Sequence, residues 1–166
     1  MHGLKLRLGR QDDLEALTKI YNHYVVHSHA TFNSAPIASR DRLEWFAHFA
    51  ERGPRRLIVA EREGIVLGCA YSDVYRDHPA FAETIETSIY VSPVSQHQGL
   101  GTSLYNRLFA ELKDEPLHLA VAGIALPNEA SHRLHLKMGF KDVGVFEEYA
   151  KVGGVYYSSL WMQKRL

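Results

Sequence analysis

The chain has 166 residues, 46% of them apolar, and its 19 basic side chains balance 19 acidic ones. This suits a single globular domain over residues 1–166. No K/R-rich run advertises a nucleic-acid or anionic membrane partner, and no apolar run is long enough to span a bilayer. The first residues lack a secretory h-region, and the one cysteine, Cys69, cannot form an internal disulfide, so a soluble cytoplasmic protein is the expectation.

Leu4, Leu6 and Leu8 alternate with Lys5 and Arg7 and predict a first strand. Asp12 or Asp13 can cap a helix whose stripe of Leu14, Leu17, Ile20, Tyr21, Tyr24 and Val25 runs to His27. His23 and His27 stand at a metal-compatible spacing, but no Cys, Asp or Glu partners complete a site, so no metal is expected. Residues 28–38 form an aperiodic loop, where Phe32 either plugs the core or lines a pocket. Ser39 can cap a second helix carrying Leu43, Trp45, Phe46 and Phe49 and ending at Gly53-Pro54. Residues 57–60 and 65–74 read as strands of a hairpin turning at Glu63-Gly64.

Thr84 to Val91 reads as a central strand that stops before Pro93, with Ile85, Thr87, Ile89 and Val91 on one face and Glu86, Ser88 and Tyr90 on the other. Then comes Gln96-His97-Gln98-Gly99-Leu100-Gly101, and from Thr102 a helix to about residue 113 on the stripe Leu104, Leu108 and Leu112. A glycine-rich loop before a helix start suits phosphate. Glycines let a ligand approach the backbone, and the first N–H groups of the helix lack internal acceptors at its positive end. Leu117 to Ile124 reads as a buried strand. Pro127-Asn128 leads into a helix over about 129–138, closed by Gly139. Strands over about 140–149 and 154–164 finish the chain. The resulting order, β-α-α-β-β-β-α-β-α-β-β, predicts an α/β or α+β sandwich on a mixed sheet.

The loop lacks the Lys of a P-loop, and Leu104 stands where a dinucleotide fingerprint needs its third glycine. Q-x-x-G-x-G after a strand ending Y-V-x-P instead resembles the pyrophosphate loop of the GNAT N-acetyltransferases. The segment N-x-x-S-x-x-L-H-x-x-x-G-F, from Asn128 to Phe140, resembles a second family motif. The L-H pair at Leu134-His135 is similar to the phosphinothricin and methionine sulfone/sulfoximine acetyltransferases. So are Y-N at Tyr21-Asn22, T-F-N-x-x-P from Thr31 to Pro36, and E-x-S-x-Y-V from Glu86 to Val91. The C-terminal segment departs from the family's G-x-K-x-G-x-W-x-D: Lys151 and a glycine remain, but the Trp and Asp positions read Tyr and Ser158.

The resemblance implies a mixed, mostly antiparallel sheet of about seven strands flanked by about four helices, acetyl-CoA as cosubstrate, and a homodimer. It implies transfer of an acetyl group to the primary amine of a small amino acid analogue by direct attack. A polyamine or peptide acetyltransferase, or a non-catalytic acyl-CoA-binding module, is the alternative. Glu86 is the candidate base, since a carboxylate inside a central strand is costly to bury without a task. His135, or a nearby tyrosine, is the candidate proton donor to the leaving thiolate. A backbone N–H near Tyr90–Val91 is expected to face the thioester oxygen. Gln96, His97, Gln98, Gly99, Leu100, Gly101 and Thr102 are expected to hold the pyrophosphate, and Asn128 either caps its helix or reaches the pantetheine. Arg76 is the candidate for a substrate carboxylate, with Phe32 and Tyr71 lining the same pocket.

Overall fold

The computed structural model describes residues 3–95 and 99–166. Seven strands form one sheet: β1 (Leu4–Leu8), β2 (Arg56–Arg62), β3 (Ile65–Val74), β4 (Thr84–Val91), β5 (Leu119–Ala125), β6 (Lys141–Val152) and β7 (Val155–Arg165). The helices are α1 (Leu14–His27), α2 (Leu43–Ala47), α3 (Leu100–Leu112) and α4 (Glu129–Lys137). The strand order is β1-β2-β3-β4-β5-β7-β6, and every neighbouring pair is antiparallel except β4–β5. This is the mixed, mostly antiparallel sheet expected. No helix among the described residues is long and apolar enough to cross a membrane.

Strand alternation gives the sheet two apolar faces. Ile58, Ile85, Ala122 and Met162 pack with Leu104, Tyr105 and Leu108 of α3 and with Phe140. On the other face Leu57, Val59 and Cys69 pack with Leu17 of α1, with Trp45 and Phe46 of α2, and with Tyr71 and Tyr90. Burial among these groups pushes the Cys69 thiol up to about 12, so it stays a neutral core residue.

Several boundaries differ from expectation for local reasons. The second helix is short: a 3₁₀ turn over Ser39–Arg42 leads into the five residues of α2, and Ser39 makes no capping bond. The chain cannot continue helically to Gly53 because the Arg56 guanidinium binds the carbonyls of Ala50 and Gly53. Asp13 does not cap α1 either. Its carboxylate accepts two hydrogen bonds from Arg7 and the Arg10 N–H, each at 2.7 Å. Helix α3 starts at Leu100, before the expected Thr102, because Gly99 turns the chain at φ 72°.

Strand β4 pairs with β5 through only three positions, Thr84↔Leu119, Ile85↔Ala120 and Glu86↔Val121. Beyond Glu86 the two strands diverge. β4 stays on β3 as far as Val91, and β5 stays on β7 as far as Ala125. This split positions the site.

Candidate active site

A cavity of about 370 Å³ fills the split between β4 and β5. Its walls come from Thr87 to Val91 on one side and Gly123 to Ala125 on the other, with the start of α3 and the first turns of α4 closing it. Backbone direction follows from the hydrogen bonds at either end of β4. The Thr84 carbonyl accepts from Tyr75 and the Ser92 N–H donates to Leu67, so even-numbered residues turn their backbone groups to β3. Odd-numbered Ile89 and Val91 therefore turn N–H and C=O toward the split, where β5 no longer meets them. Of the expected pair, Val91 aims its amide at the cavity, whereas Tyr90 turns its amide to β3. The Val91 carbonyl accepts the Tyr24 hydroxyl at 2.6 Å, which ties α1 to the end of β4.

Gly99, Leu100, Gly101, Thr102, Asn128 and His135 line this cavity together with Tyr90 and Val91. Gln96, His97 and Gln98 lie outside the described residues. The two glycines have different reasons. Gly99 needs its positive φ, and a Cβ there would meet no atom of the described residues within 4 Å, which leaves its backbone open to a ligand on that side. Gly101 was expected to leave room for phosphate, but its bare side faces protein: a Cβ would stand 2.8 Å from Leu134 Cδ2 and 3.6 Å from Ile89 Cδ1. Gly101 lets α3 approach α4 and β4 closely. Asn128 caps α4, its Oδ1 accepting the Ser131 N–H at 3.1 Å, which leaves its amide N–H groups for other use.

His135 is buried, at 2% exposure. Its Nδ1 donates to the Ser131 carbonyl at 2.8 Å, which leaves Nε2 to accept from the Tyr105 hydroxyl at 2.8 Å. Burial lowers its pKa below the usual histidine range, against the opposing pull of the Ser131 carbonyl. His135 is thus neutral with both nitrogens engaged, and has no free proton to give. Burial also pushes the Tyr105 phenol up, so it stays protonated in the cavity wall.

Glu86 projects from the opposite face of β4 and is not part of the cavity lining. Among the described residues its carboxylate has no hydrogen-bond partner. Burial, then the charge of Asp73, raises its pKa above the usual glutamate range. Above this face runs an arc of rings. Phe81 meets Tyr75 at 5.7 Å and Tyr75 meets Trp161 at 6.0 Å; Trp161 meets Phe146 at 6.4 Å, Phe146 meets Tyr149 at 5.4 Å and Tyr149 meets Phe32 at 5.9 Å. Gly123 makes room for this arc, since a Cβ there would stand 3.2 Å from the Trp161 ring. Phe32 thus sits at one end. The motifs around it are its tethers: Tyr21 binds Thr31 hydroxyl to hydroxyl at 2.6 Å, and Asn22 exchanges two hydrogen bonds with the backbone of Ile37. Tyr71 is half-buried beside Ser88, its direct partner in register, and desolvation pushes its phenol up to about 12. Arg76 is exposed, at the other end of the arc, with its guanidinium over the rings of Tyr75 and Phe81.

The sequence reading missed Tyr24, Tyr105, Gly123, Trp161 and Arg42. Tyr24 sits on a predicted apolar stripe and Tyr105 beside one, and nothing local marks such a residue as a cavity wall.

A split strand pair, a left-handed glycine before a helix start and an asparagine cap converging on one cavity narrow the comparison to few folds. The profile of the Acetyltransferase (GNAT) family matches residues 15–140. The chain belongs to the GNAT acetyltransferase family. It is 42% identical to a phosphinothricin N-acetyltransferase of Streptomyces coelicolor, over 98% of this chain and 96% of that one. It is 34% identical to an L-methionine sulfoximine/L-methionine sulfone acetyltransferase of Salmonella typhimurium, over 98% of this chain and 95% of that one. A solved Salmonella typhimurium acetyltransferase, described with its cofactor acetyl-CoA, superposes with a TM-score of 0.92 at 33% identity, over 99% of this chain and 95% of that one.

The chain is therefore an acetyl-CoA-dependent N-acetyltransferase. Its cavity fits the cosubstrate on its own terms. The outward amides of β4 offer an extended arm the ladder bonds that β5 withholds, and the open Gly99 backbone at the start of α3 is suited to pyrophosphate. Among the described residues no cluster of three His, Cys, Asp or Glu could hold a metal ion; His23 and His27 only pack ring to ring at 4.8 Å.

Proposed function

We propose that this enzyme acetylates the primary amine of a small amino acid analogue of the phosphinothricin, methionine sulfone or methionine sulfoximine type, by direct attack on acetyl-CoA. One observation carries the reading. Among the described residues, the same short stretch of β4 turns amides that β5 does not meet to the cavity on its edge, and Glu86, a carboxylate without a hydrogen-bond partner, to the aromatic arc on its face. The names of the full-length relatives support the substrate class.

When bound, acetyl-CoA supplies the activated acetyl thioester. An alkylammonium has a pKa near that of lysine, about 10, so it must lose a proton before attack. Glu86, directly or through one water, accepts that proton. The Val91 or Ile89 N–H stabilises the charge that develops on the thioester oxygen. Tyr105 is the protonated hydroxyl in the cavity wall and stands in for His135 as donor to the leaving thiolate, by turning its single O–H from His135 Nε2 to the sulfur. Asn128 turns its free amide toward the pantetheine. Arg76 takes the α-carboxylate of the substrate and Phe32 and Tyr71 border its pocket.

The test is acetyl-CoA-dependent thiol release over a panel of methionine sulfone, methionine sulfoximine, phosphinothricin, polyamines and a peptide. Turnover concentrated in the first three is expected. Preference for polyamines would favour the second reading, for which the groove beside Glu147 and Glu148 is the supporting feature.

We also propose that two copies pair along β6. This is one of the two edge strands of the sheet, it is 12 residues long, and with β7 it exposes Val143, Val145, Phe146, Val155 and Tyr156. A long apolar edge of this kind is normally covered. Sedimentation of the wild type as a dimer, and of Val145→Lys as a monomer, is the expected result.

A further inference from the structure

Arg42 closes the 3₁₀ turn that leads into α2 and is only 7% exposed. Its guanidinium lies between two rings, 3.7 Å from the centroid of Trp45 and 4.8 Å from that of Tyr21. Other arginines drawn into the fold are answered by carboxylates: the buried Arg56 pairs with Glu115, and the half-buried Arg7 with Asp13 and Glu61. Among the described residues Arg42 has no carboxylate, carbonyl or hydroxyl partner. A buried charge without a partner is costly, because desolvation is not repaid. Nor are its nitrogens sealed off. Thr18 Oγ1 and Trp161 Nε1 are buried polar atoms shut away from solvent without a partner, and no Arg42 nitrogen is among such atoms. Five N–H donors in a rigid plane are thus held ready between two rings and left unused.

The position is on the acceptor side. Arg42 shares its face of the sheet with Tyr71 and Tyr90, whose phenols feel its positive charge. Tyr71 stands opposite Ser88, and Ser88 and Tyr90 both reach the cavity wall. Tyr21, one of its two rings, holds the loop that carries Phe32.

We propose that Arg42 is a specificity-determining residue that receives an oxyanion of the acceptor substrate. The proposal rests on the amino acid analogue reading above. A carboxylate or phosphinate matches the planar fork, and the two rings hold that plane without competing for its N–H groups. The oxyanion is either a distal acidic group, which leaves the α-carboxylate to Arg76, or the α-carboxylate itself, which takes that role from Arg76, and the two sources separate by experiment.

The experiment measures steady-state kinetics with four amines: methionine sulfone, phosphinothricin and the decarboxylated counterpart of each. Arg42→Gln and Arg42→Lys are compared with the wild type. Arg42→Gln is expected to raise KM roughly ten- to a hundredfold for amines bearing the recognised oxyanion, with KM for acetyl-CoA unchanged. A rise confined to the two amino acids assigns Arg42 to the α-carboxylate. A rise confined to phosphinothricin and its decarboxylated form assigns it to the distal phosphinate. Arg42→Lys keeps charge and bulk and should recover part of the loss, and it carries the same comparison if Arg42→Gln does not fold. An equal change for all four amines, including decarboxylated methionine sulfone, which has no oxyanion, overturns the proposal and makes Arg42 a clamp between α1 and α2. A wild type inactive on all four amines overturns the acceptor reading itself, and the proposal with it.

Discussion

Glu86 stands directly opposite Asp73 in the antiparallel register of β4 and β3, so two carboxylates share one face of the sheet. They are not equivalent. Asp73 is engaged by the Arg55 guanidinium at 2.6 Å and also accepts the Val74 N–H at 2.7 Å, whereas Glu86 has no such partner among the described residues. Burial and the neighbouring negative charge therefore fall on Glu86, which holds its proton to a higher pH than an ordinary glutamate.

The first prediction follows from that asymmetry. Only ionised Glu86 can act as a base, so kcat/KM should fall as pH drops through a pKa above the usual value of about 4.3. Glu86→Gln should lower turnover roughly 10²–10⁴-fold and abolish this acid limb, with acetyl-CoA binding intact. Normal turnover by the variant across pH 6–9 would sink the assignment.

The same shift has a stability consequence of opposite sense. A carboxyl whose pKa is raised by folding contributes stability that is fully present below its unfolded pKa and is lost as pH rises through the folded one. Glu86→Gln is therefore expected to melt at the same temperature as the wild type or higher at pH 8, while losing activity. A clear fall in Tm at pH 8 would mean that ionised Glu86 holds the fold together.

The glycines of the loop separate by mutation. Gly101→Val drives its added carbons into Leu134 and Ile89 and should destabilise by about 1–3 kcal/mol, so its effect on cosubstrate binding mixes with packing. Gly99→Ala adds its methyl in open space at φ 72°, at a cost of about 1–2 kcal/mol in backbone strain. Calorimetry should show weaker acetyl-CoA binding by Gly99→Ala; an unchanged Kd beside a lowered Tm would assign Gly99 to folding alone.

Tyr105→Phe removes the hydroxyl that His135 Nε2 accepts. Leaving that buried nitrogen unpaired should cost about 1–3 kcal/mol of stability. If Tyr105 also protonates the thiolate, kcat falls while KM for acetyl-CoA holds. A lowered Tm with normal kcat would leave the pair a packing element.

Arg76→Ala should raise KM for methionine sulfone by roughly ten- to a hundredfold, from loss of a charged hydrogen bond worth about 1.5–3 kcal/mol. Arg76→Lys should recover part of it, because an ammonium lacks the bidentate fork. Equal activity of the wild type on carboxylated and decarboxylated amines would remove Arg76 from substrate binding.

Much of this protein is legible along the chain. Alternation located β1 and the hairpin signal at Glu63-Gly64 located β3 at their observed bounds, and the aromatic, β-branched run from Thr84 to Val91 marked β4. The glycine-rich loop and the Asn128 segment pointed to one cosubstrate, and both flank one cavity. These features are local: strand period, turn residues and caps act within a few neighbours. The length of α2 was not legible, because it depends on a guanidinium from β2 taking carbonyls several residues away in sequence.

The sequence by itself determined the order of elements, the family motifs and the residue types able to do acetyl transfer. The tertiary structure decided which of them meet. It opened β4 from β5 beyond Glu86, gave Gly101 to Leu134 rather than to a ligand, and left His135 accepting from Tyr105 with no proton to donate. It also set Arg42 against Trp45 and Tyr21 with no carboxylate partner among the described residues. The physical reason is that burial, hydrogen-bond satisfaction and pKa depend on groups brought together from distant segments, and no periodicity along one segment encodes what the opposite face will present.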